Sequence, residues 1–192
     1  MMFLYCIVNY MSADDVMVAF PLFQAEYGGS IPTSALQLNI AKVTNKKAIQ
    51  LNRVWHSRVP EMGNWQTCYP CFAAEFNNIY YACAMWSQPI AANRLKDGKS
   101  CLELRRMAIS NNSPKYTASR MLSVMTKIIK REMPHIRRLI SYQDTAVHHG
   151  TIYKASGWTA VNYSKYISWA NRPGRIDQVI SPKIRWELRI RE

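Results

Sequence analysis

The chain has 192 residues, enough for one domain with a sizeable core and cramped for two. Hydrophobic residues make up 48% and charged residues 19%, which excludes a disordered chain. No run approaches the ~18 uncharged apolar residues a membrane span needs, so no membrane partner is expected. The formal net charge is +13, from 25 Lys and Arg against 12 Asp and Glu. Residues 1–96 carry 7 basic and 5 acidic side chains, residues 97–192 carry 18 and 7. A basic surplus confined to one half, with a sequence pI of about 9.7, points to a polyanionic partner, nucleic acid first.

Residues 1–35 read as an N-terminal extension and residues 36–192 as one domain. The run Met1 to Met11 is apolar, but it lacks a basic flank and a small-residue cleavage site, so no secretory signal is expected. From Leu36, alternation predicts a strand to Val43. Thr44 or Asn45 caps a helix through Ala48, Ile49 and Leu51. Val54 to Pro70 reads as a loop holding Trp55, His56, Arg58 and Trp65. Cys71 to Phe76 and Ile79 to Trp86 read as a hairpin turning at Asn77-Asn78. After a loop from Gln88 to Lys99, Leu102 to Ile109 is a strand carrying Arg105 and Arg106. Ser113 as N-cap and Pro114 at the first helical position open the clearest helix, which ends before Pro134. Arg137 to Tyr142 reads as a strand. Ala146 to Ser156 reads as a helix stopped by Gly157, placing His149 and Tyr153 on one face. Trp158 to Tyr163 and Ile184 to Ile190 close the fold through a basic loop with Arg172 and Arg175. This order predicts an α/β domain with one mixed sheet flanked by helices.

The odd cysteine count, Cys6, Cys68, Cys71, Cys83 and Cys101, fits reduced thiols in the cytoplasm. Cys68-Tyr69-Pro70-Cys71 is a single CxxC without the second pair that a zinc knuckle needs. It runs into a strand rather than opening a helix, so buried structural thiols fit better than redox chemistry. Ser110 to Ser119 leads from a strand into a helix N-terminus, a setting for an anion, with Lys115 and Arg120 nearby; the Walker motif is absent. Ser141-Tyr142-Gln143-Asp144-Thr145 sits at the carboxyl end of a strand, where open α/β sheets place their sites. Asp144 can orient a base, ligate a metal or cap a helix; His149 or Tyr153 can move a proton.

Cys101 to Ser110, Asn111 to Leu122, and His149 to Trp158 resemble the fourth strand, the pyrophosphate loop with its helix, and the final motif of the GNAT acetyltransferase fold. A further set resembles phage Mom-type proteins: Trp55-His56-Ser57-Arg58, Glu103 to Ala108, Thr117 to Leu122, and Ser141 to Trp158. The resemblance implies a GNAT-like single domain with a mixed, mostly antiparallel sheet. It also implies a transferase that places a carbamoylmethyl (acetamido-type) group on N6 of adenine in phage DNA, masking it from host restriction. It implies an acetyl-CoA-like donor held at Arg106 and Ser119, in the loop of Lys115, Thr117 and Ala118, and a role for His56 and Asp144 both in catalysis and in binding iron. Tyr153 would be the general acid, with Tyr142 and His149 beside the catalytic centre. The expected partner is double-stranded DNA in the bacterial cytoplasm, contacted by Arg58, Arg172, Arg175, Lys183 and Arg185. The assembly stays open between monomer and homodimer. Trp55, Trp65 and Trp86 are candidates for a pocket holding an extruded base. The alternatives are an acyl-CoA N-acetyltransferase acting on a protein or small amine, and a non-catalytic DNA-binding protein on a degenerate transferase fold.

Overall fold

A computed structural model describes residues 31–57, 68–95, 98–164 and 181–192. Seven strands form one sheet: β1 (Asn39–Val43), β2 (Cys71–Phe76), β3 (Ile79–Ser87), β4 (Cys101–Ile109), β5 (Arg138–Asp144), β6 (Thr159–Ser164) and β7 (Lys183–Arg189). Among the described residues three α-helices accompany them: α1 (Asn45–Trp55), α2 (Thr117–Glu132) and α3 (Thr151–Ala155). The sheet order is β1-β2-β3-β4-β5-β7-β6. Only β4 and β5 pair in parallel; every other neighbour pair is antiparallel. The expected mixed, mostly antiparallel sheet is therefore present.

Local chemistry explains most element ends. Thr44 caps α1, its hydroxyl accepting from the Lys47 N–H at 3.2 Å. Asn77 and Asn78 take φ of +51° and +63°, the double left-handed turn that matches strand twist and that asparagine tolerates.

Three boundaries differ from expectation. Leu36 does not begin a strand; it lies in a 3-10 turn, Ala35–Gln37, which Ser34 and Gln37 close with a capping box, and it is 76% exposed. Ser113 does not cap α2. Its hydroxyl donates across to the Tyr81 carbonyl at 2.6 Å, and α2 begins after Tyr116, at φ +69°. Residues 146–149 are not helical. Asp144 Oδ1 accepts from the Ala146 N–H at 2.9 Å, holding a turn, and α3 starts only after Gly150. A short side chain that bonds its own backbone competes with the helix at this point. Gly157 does end α3, with φ of +76°.

Alternation divides the sheet into two faces. On one face, Leu102, Leu104, Leu139 and Trp186 join Met121, Leu122 and Met125 of α2 and Tyr153 of α3 in the main core. On the other face, α1 buries Leu51 against Ala73, Cys83 and Ala108. No helix among the described residues is long and apolar enough to cross a membrane.

Candidate active site

The site follows from where a parallel ladder stops. β4 and β5 pair from Cys101↔Arg138 to Leu104↔Ser141. Both strands continue beyond, β4 to Ile109 and β5 to Asp144, without pairing to each other. The result is a notch in the sheet at Leu104 and Ser141, with α2 entering after β4 and α3 after β5. Irregular pairing next to a site is a recurrent device for aiming side chains.

The first wall is aromatic. Ser141 Oγ and the Tyr153 hydroxyl lie 2.8 Å apart at the last position where β5 pairs with β4. Tyr153 stacks on Trp186, with centroids 5.2 Å apart, and meets Trp158 edge-on at 5.7 Å. Burial pushes the Tyr153 hydroxyl above the ordinary tyrosine pKa, and the bond to Ser141 only partly offsets it. The hydroxyl is therefore held protonated, able to donate. Trp186 Nε1 donates to Gln143 Oε1 at 2.7 Å, and Gln143 Nε2 donates to the His148 carbonyl at 2.5 Å. Gly150 is required here. At φ +73°, a Cβ would lie 2.5 Å from Gln143 Oε1 and 2.6 Å from Trp186 Cζ2.

The second wall is charged and lies on the α1 face. β3 and β4 shift register between Met85↔Arg106 and Trp86↔Leu104, which leaves Arg105 as the extra residue of a bulge. Glu103 and Arg105 approach at 3.6 Å. Arg106 Nη1 donates to the Arg105 carbonyl at 2.7 Å, while its buried Nε has no partner among the described residues. His56 caps the end of α1, its backbone N–H donating to the Asn52 carbonyl at 2.8 Å. Burial first, then the Arg106 guanidinium and His148, lower the His56 pKa to about 4. The imidazole is neutral at pH 7.

Several expectations change. His149 does not share a helix face with Tyr153; it precedes α3 and is exposed. His148, one residue earlier, is the histidine within electrostatic reach of His56. Sequence spacing could not separate the two, because the choice depends on the turn that Asp144 holds. Trp86 is not an open stacking surface: it is 0% exposed and its Nε1 donates to Met125 Sδ at 3.4 Å. Lys183 and Arg185 sit on β7, and Arg185 has an acidic neighbour on its own strand. Its Nε lies 2.9 Å from Glu187 Oε1 and its side chain is 13% exposed. Arg58, Trp65, Arg172, Arg175 and Cys6 lie outside the described residues.

The expected donor loop is coherent. Thr117 Oγ1 donates to the Pro114 carbonyl at 2.7 Å and Ser119 Oγ to the Tyr116 carbonyl at 3.1 Å. Both side chains fold back on their own turn. Tyr116 supplies the left-handed residue of the turn into α2. Ser156 Oγ donates to the Ser119 carbonyl at 3.1 Å, tying the end of α3 to the first turn of α2. Lys115 is exposed beside this turn. A helix N-terminus next to a lysine suits a phosphate-bearing donor.

Iron does not fit. Among the described residues, no group of three or more His, Cys, Asp and Glu side chains could hold a metal ion. A metal at His56 would also sit beside the Arg106 cation, which already disfavours positive charge on the imidazole. The thiols are structural: Cys68, Cys71, Cys83 and Cys101 are buried and free. Burial pushes Cys71 and Cys83 up to about 12, far from the thiolate that reactivity needs.

This architecture is the GNAT fold. An acetyltransferase from Bacillus subtilis, solved in complex with CoA, aligns over 80% of this chain and 99% of its own, with TM-score 0.58 and 10% identity. The ribosomal-protein-S18-alanine N-acetyltransferase of Escherichia coli aligns over 81% and 95%, with TM-score 0.58 and 13% identity. A GNAT-family acetyltransferase from Streptococcus pneumoniae aligns over 80% and 99%, with TM-score 0.57 and 14% identity. Identities of this size establish the fold alone. The chain itself belongs to the Mom protein family, whose model matches residues 79–178. The match begins at β3 and takes in both strands of the notch, α2 and α3. His56 and β7 lie outside it. No curated protein sequence matches the chain.

Proposed function

We propose that this chain is a transferase that modifies the N6 amine of adenine in DNA with a small acetamido-type (carbamoylmethyl) group. One observation carries the reading: the Mom family match spans the whole notch of a GNAT fold, from β3 through α3. In phage DNA such a mark would hide restriction sites.

The chemistry sets requirements that the two walls supply. The adenine amine is a poor nucleophile, because its lone pair is delocalised into the ring. Holding donor and amine in register is then the main contribution of the protein. A CoA-type donor, as its activated form, supplies the group to be transferred. The first turn of α2, at Thr117, Ala118 and Ser119, and Lys115 would hold its phosphates, and Arg106 would meet its charge at the notch. As N6 forms its bond to the carbon of the transferred group, the bond from that carbon to the donor's leaving atom breaks, and Tyr153, kept protonated by burial, would give its proton to that leaving atom. His56, kept neutral, accepts the proton that the amine loses.

The test is nucleoside mass spectrometry of plasmid DNA from bacteria expressing the full chain. The expected result is a modified deoxyadenosine, absent when Tyr153→Phe replaces the wild type. Unmodified DNA from cells with abundant folded protein would overturn the reading. Acetyl transfer to a protein amine instead would move the chain to the general acetyltransferase reaction of its fold.

A further inference from the structure

The α1 face of β5 and β7 holds an arrangement that the reaction above does not use. In one cross-strand row Glu103, Ile140 and Glu187 stand side by side. In the next row along β5, Tyr142 stands beside Arg185, and Arg185 beside Asn162 of β6. Beyond the last pair, Leu104↔Ser141, β5 continues to Tyr142 and β4 to Arg105 in its bulge, so the two residues follow the end of the ladder on either strand of the notch.

The two glutamates fix the two arginines. Glu103 approaches Arg105 at 3.6 Å, and Glu187 approaches Arg185 at 2.9 Å. The arginine side chains are only 11% and 13% exposed, while Tyr142 between them is 37% exposed. The usual order is inverted. Long cations normally reach into water, and aromatic rings are covered. Here the guanidiniums are anchored and the ring is offered.

Charge decides the class of ligand. Arg106, Lys183 and Arg138, the last 3.6 Å from Glu187, add to Arg105 and Arg185, so five cations face the three carboxylates of Glu103, Asp144 and Glu187. A lysine-bearing or amino-terminal peptide would be repelled. A neutral amine would leave the cations unused. A nucleotide uses both parts, a π-face for the ring and phosphates for the guanidiniums.

We infer that Tyr142, flanked by Arg105 and Arg185, is the platform on which the acceptor nucleobase stacks once it has left the duplex. This rests on the DNA-modifying reading and names the acceptor side of its site. It assigns to an exposed tyrosine the stacking role that Trp86 is too buried to take. Arg105 and Arg185 contact the phosphates flanking the base, and Glu103 and Glu187 act as positioning residues.

The experiment uses the full chain and a short single-stranded oligonucleotide carrying 2-aminopurine in place of one adenine. Wild type and Tyr142→Phe are expected to bind alike and to quench the probe by stacking. Tyr142→Ala is expected to bind about tenfold more weakly and to leave the probe bright, with an unchanged thermal transition because the ring is not in the core. Arg185→Gln is expected to lower the salt slope of binding by about one. Tyr142→Ala that binds and quenches like wild type overturns the platform. Quenching lost in Tyr142→Ala supports it even if wild-type cells yield unmodified plasmid DNA, a result that overturns only the reaction proposed above.

Discussion

The two faces of the sheet at the notch are built on opposite rules. On the α2 and α3 side, every large group is closed in. Trp86, Trp158 and Trp186 surround Tyr153 in one apolar cluster, and the polar atoms of Tyr153, Ser141, Gln143 and Trp186 find each other. On the α1 side, β4, β5 and β7 place arginines and glutamates in a half-buried setting, and Arg106 Nε keeps a hydrogen with no acceptor among the described residues. The first side is nearly finished by the fold, with Trp158 Nε1 left without a partner among the described residues. The second leaves a charged donor, Arg106 Nε, open to something that binds. A closed network fixes the position of one hydroxyl, and an incomplete one reserves free energy for a ligand.

The sharpest way to break this comparison is to open the finished side. Trp86→Ala removes a fully buried ring and is expected to cost roughly 3–5 kcal/mol of stability, read by chemical denaturation. A loss near zero would mean that the aromatic wall is not core. Tyr153→Phe is a finer cut. It keeps the stack on Trp186 and removes the hydroxyl, so stability should fall by only about 1 kcal/mol while modification falls about 100-fold. Equal modification by the two proteins would remove Tyr153 as the acid.

Gly150→Ala tests the joint between the faces. The backbone there is left-handed, and a methyl group would meet Gln143 and Trp186 well inside contact distance. A loss of about 1–3 kcal/mol is expected, and Gln143→Ala in the same background should return part of it by clearing one of the two contacts. No recovery would place the strain in the backbone alone.

The same division explains what the sequence made legible. Apolar alternation in the strands and the stripe of Met121, Leu122 and Met125 in α2 are local patterns, so the sheet and its main helix could be read directly, whereas the burial of Trp86 in the aromatic wall could not. Asn77-Asn78 and Gly157 announced their turns because few residues take a positive φ. The charged face could not be read in that way. Arg185 and Glu187 share a face by strand period alone, but the burial of Arg185 depends on β7 lying between β5 and β6, which no single strand encodes. The bulge that turns Arg105 toward Glu103 depends on a register with β3 that no single strand encodes. His148 and His149 are equivalent as letters. The side chain of Asp144, by holding its own turn, decides which of them comes near His56. Ser113-Pro114 misled for a similar reason: the serine hydroxyl has a better acceptor in the Tyr81 carbonyl than in the helix.

The smallest expected effect concerns the charged side and has a definite sign. The pKa of His56 is lowered to about 4 in the folded chain from 6.5. Between those values the unfolded chain binds a proton that the folded chain refuses. Stability contributed by this group is thus complete above about pH 6.5 and is lost as pH falls toward about 4, with no further loss below. The imidazole is half-buried, so the slope should be shallow. His56→Gln, which cannot titrate, should flatten the curve in that window and leave it unchanged above pH 7. Arg106→Gln should instead keep the His56 contribution but move its lower end upward, because one of the two charges that hold the proton off is gone. Denaturation curves of the three proteins between pH 4 and 8 decide the matter. If His56→Gln keeps the full wild-type slope, the imidazole is not held neutral by its surroundings, and its use as the base for the adenine amine loses its physical ground.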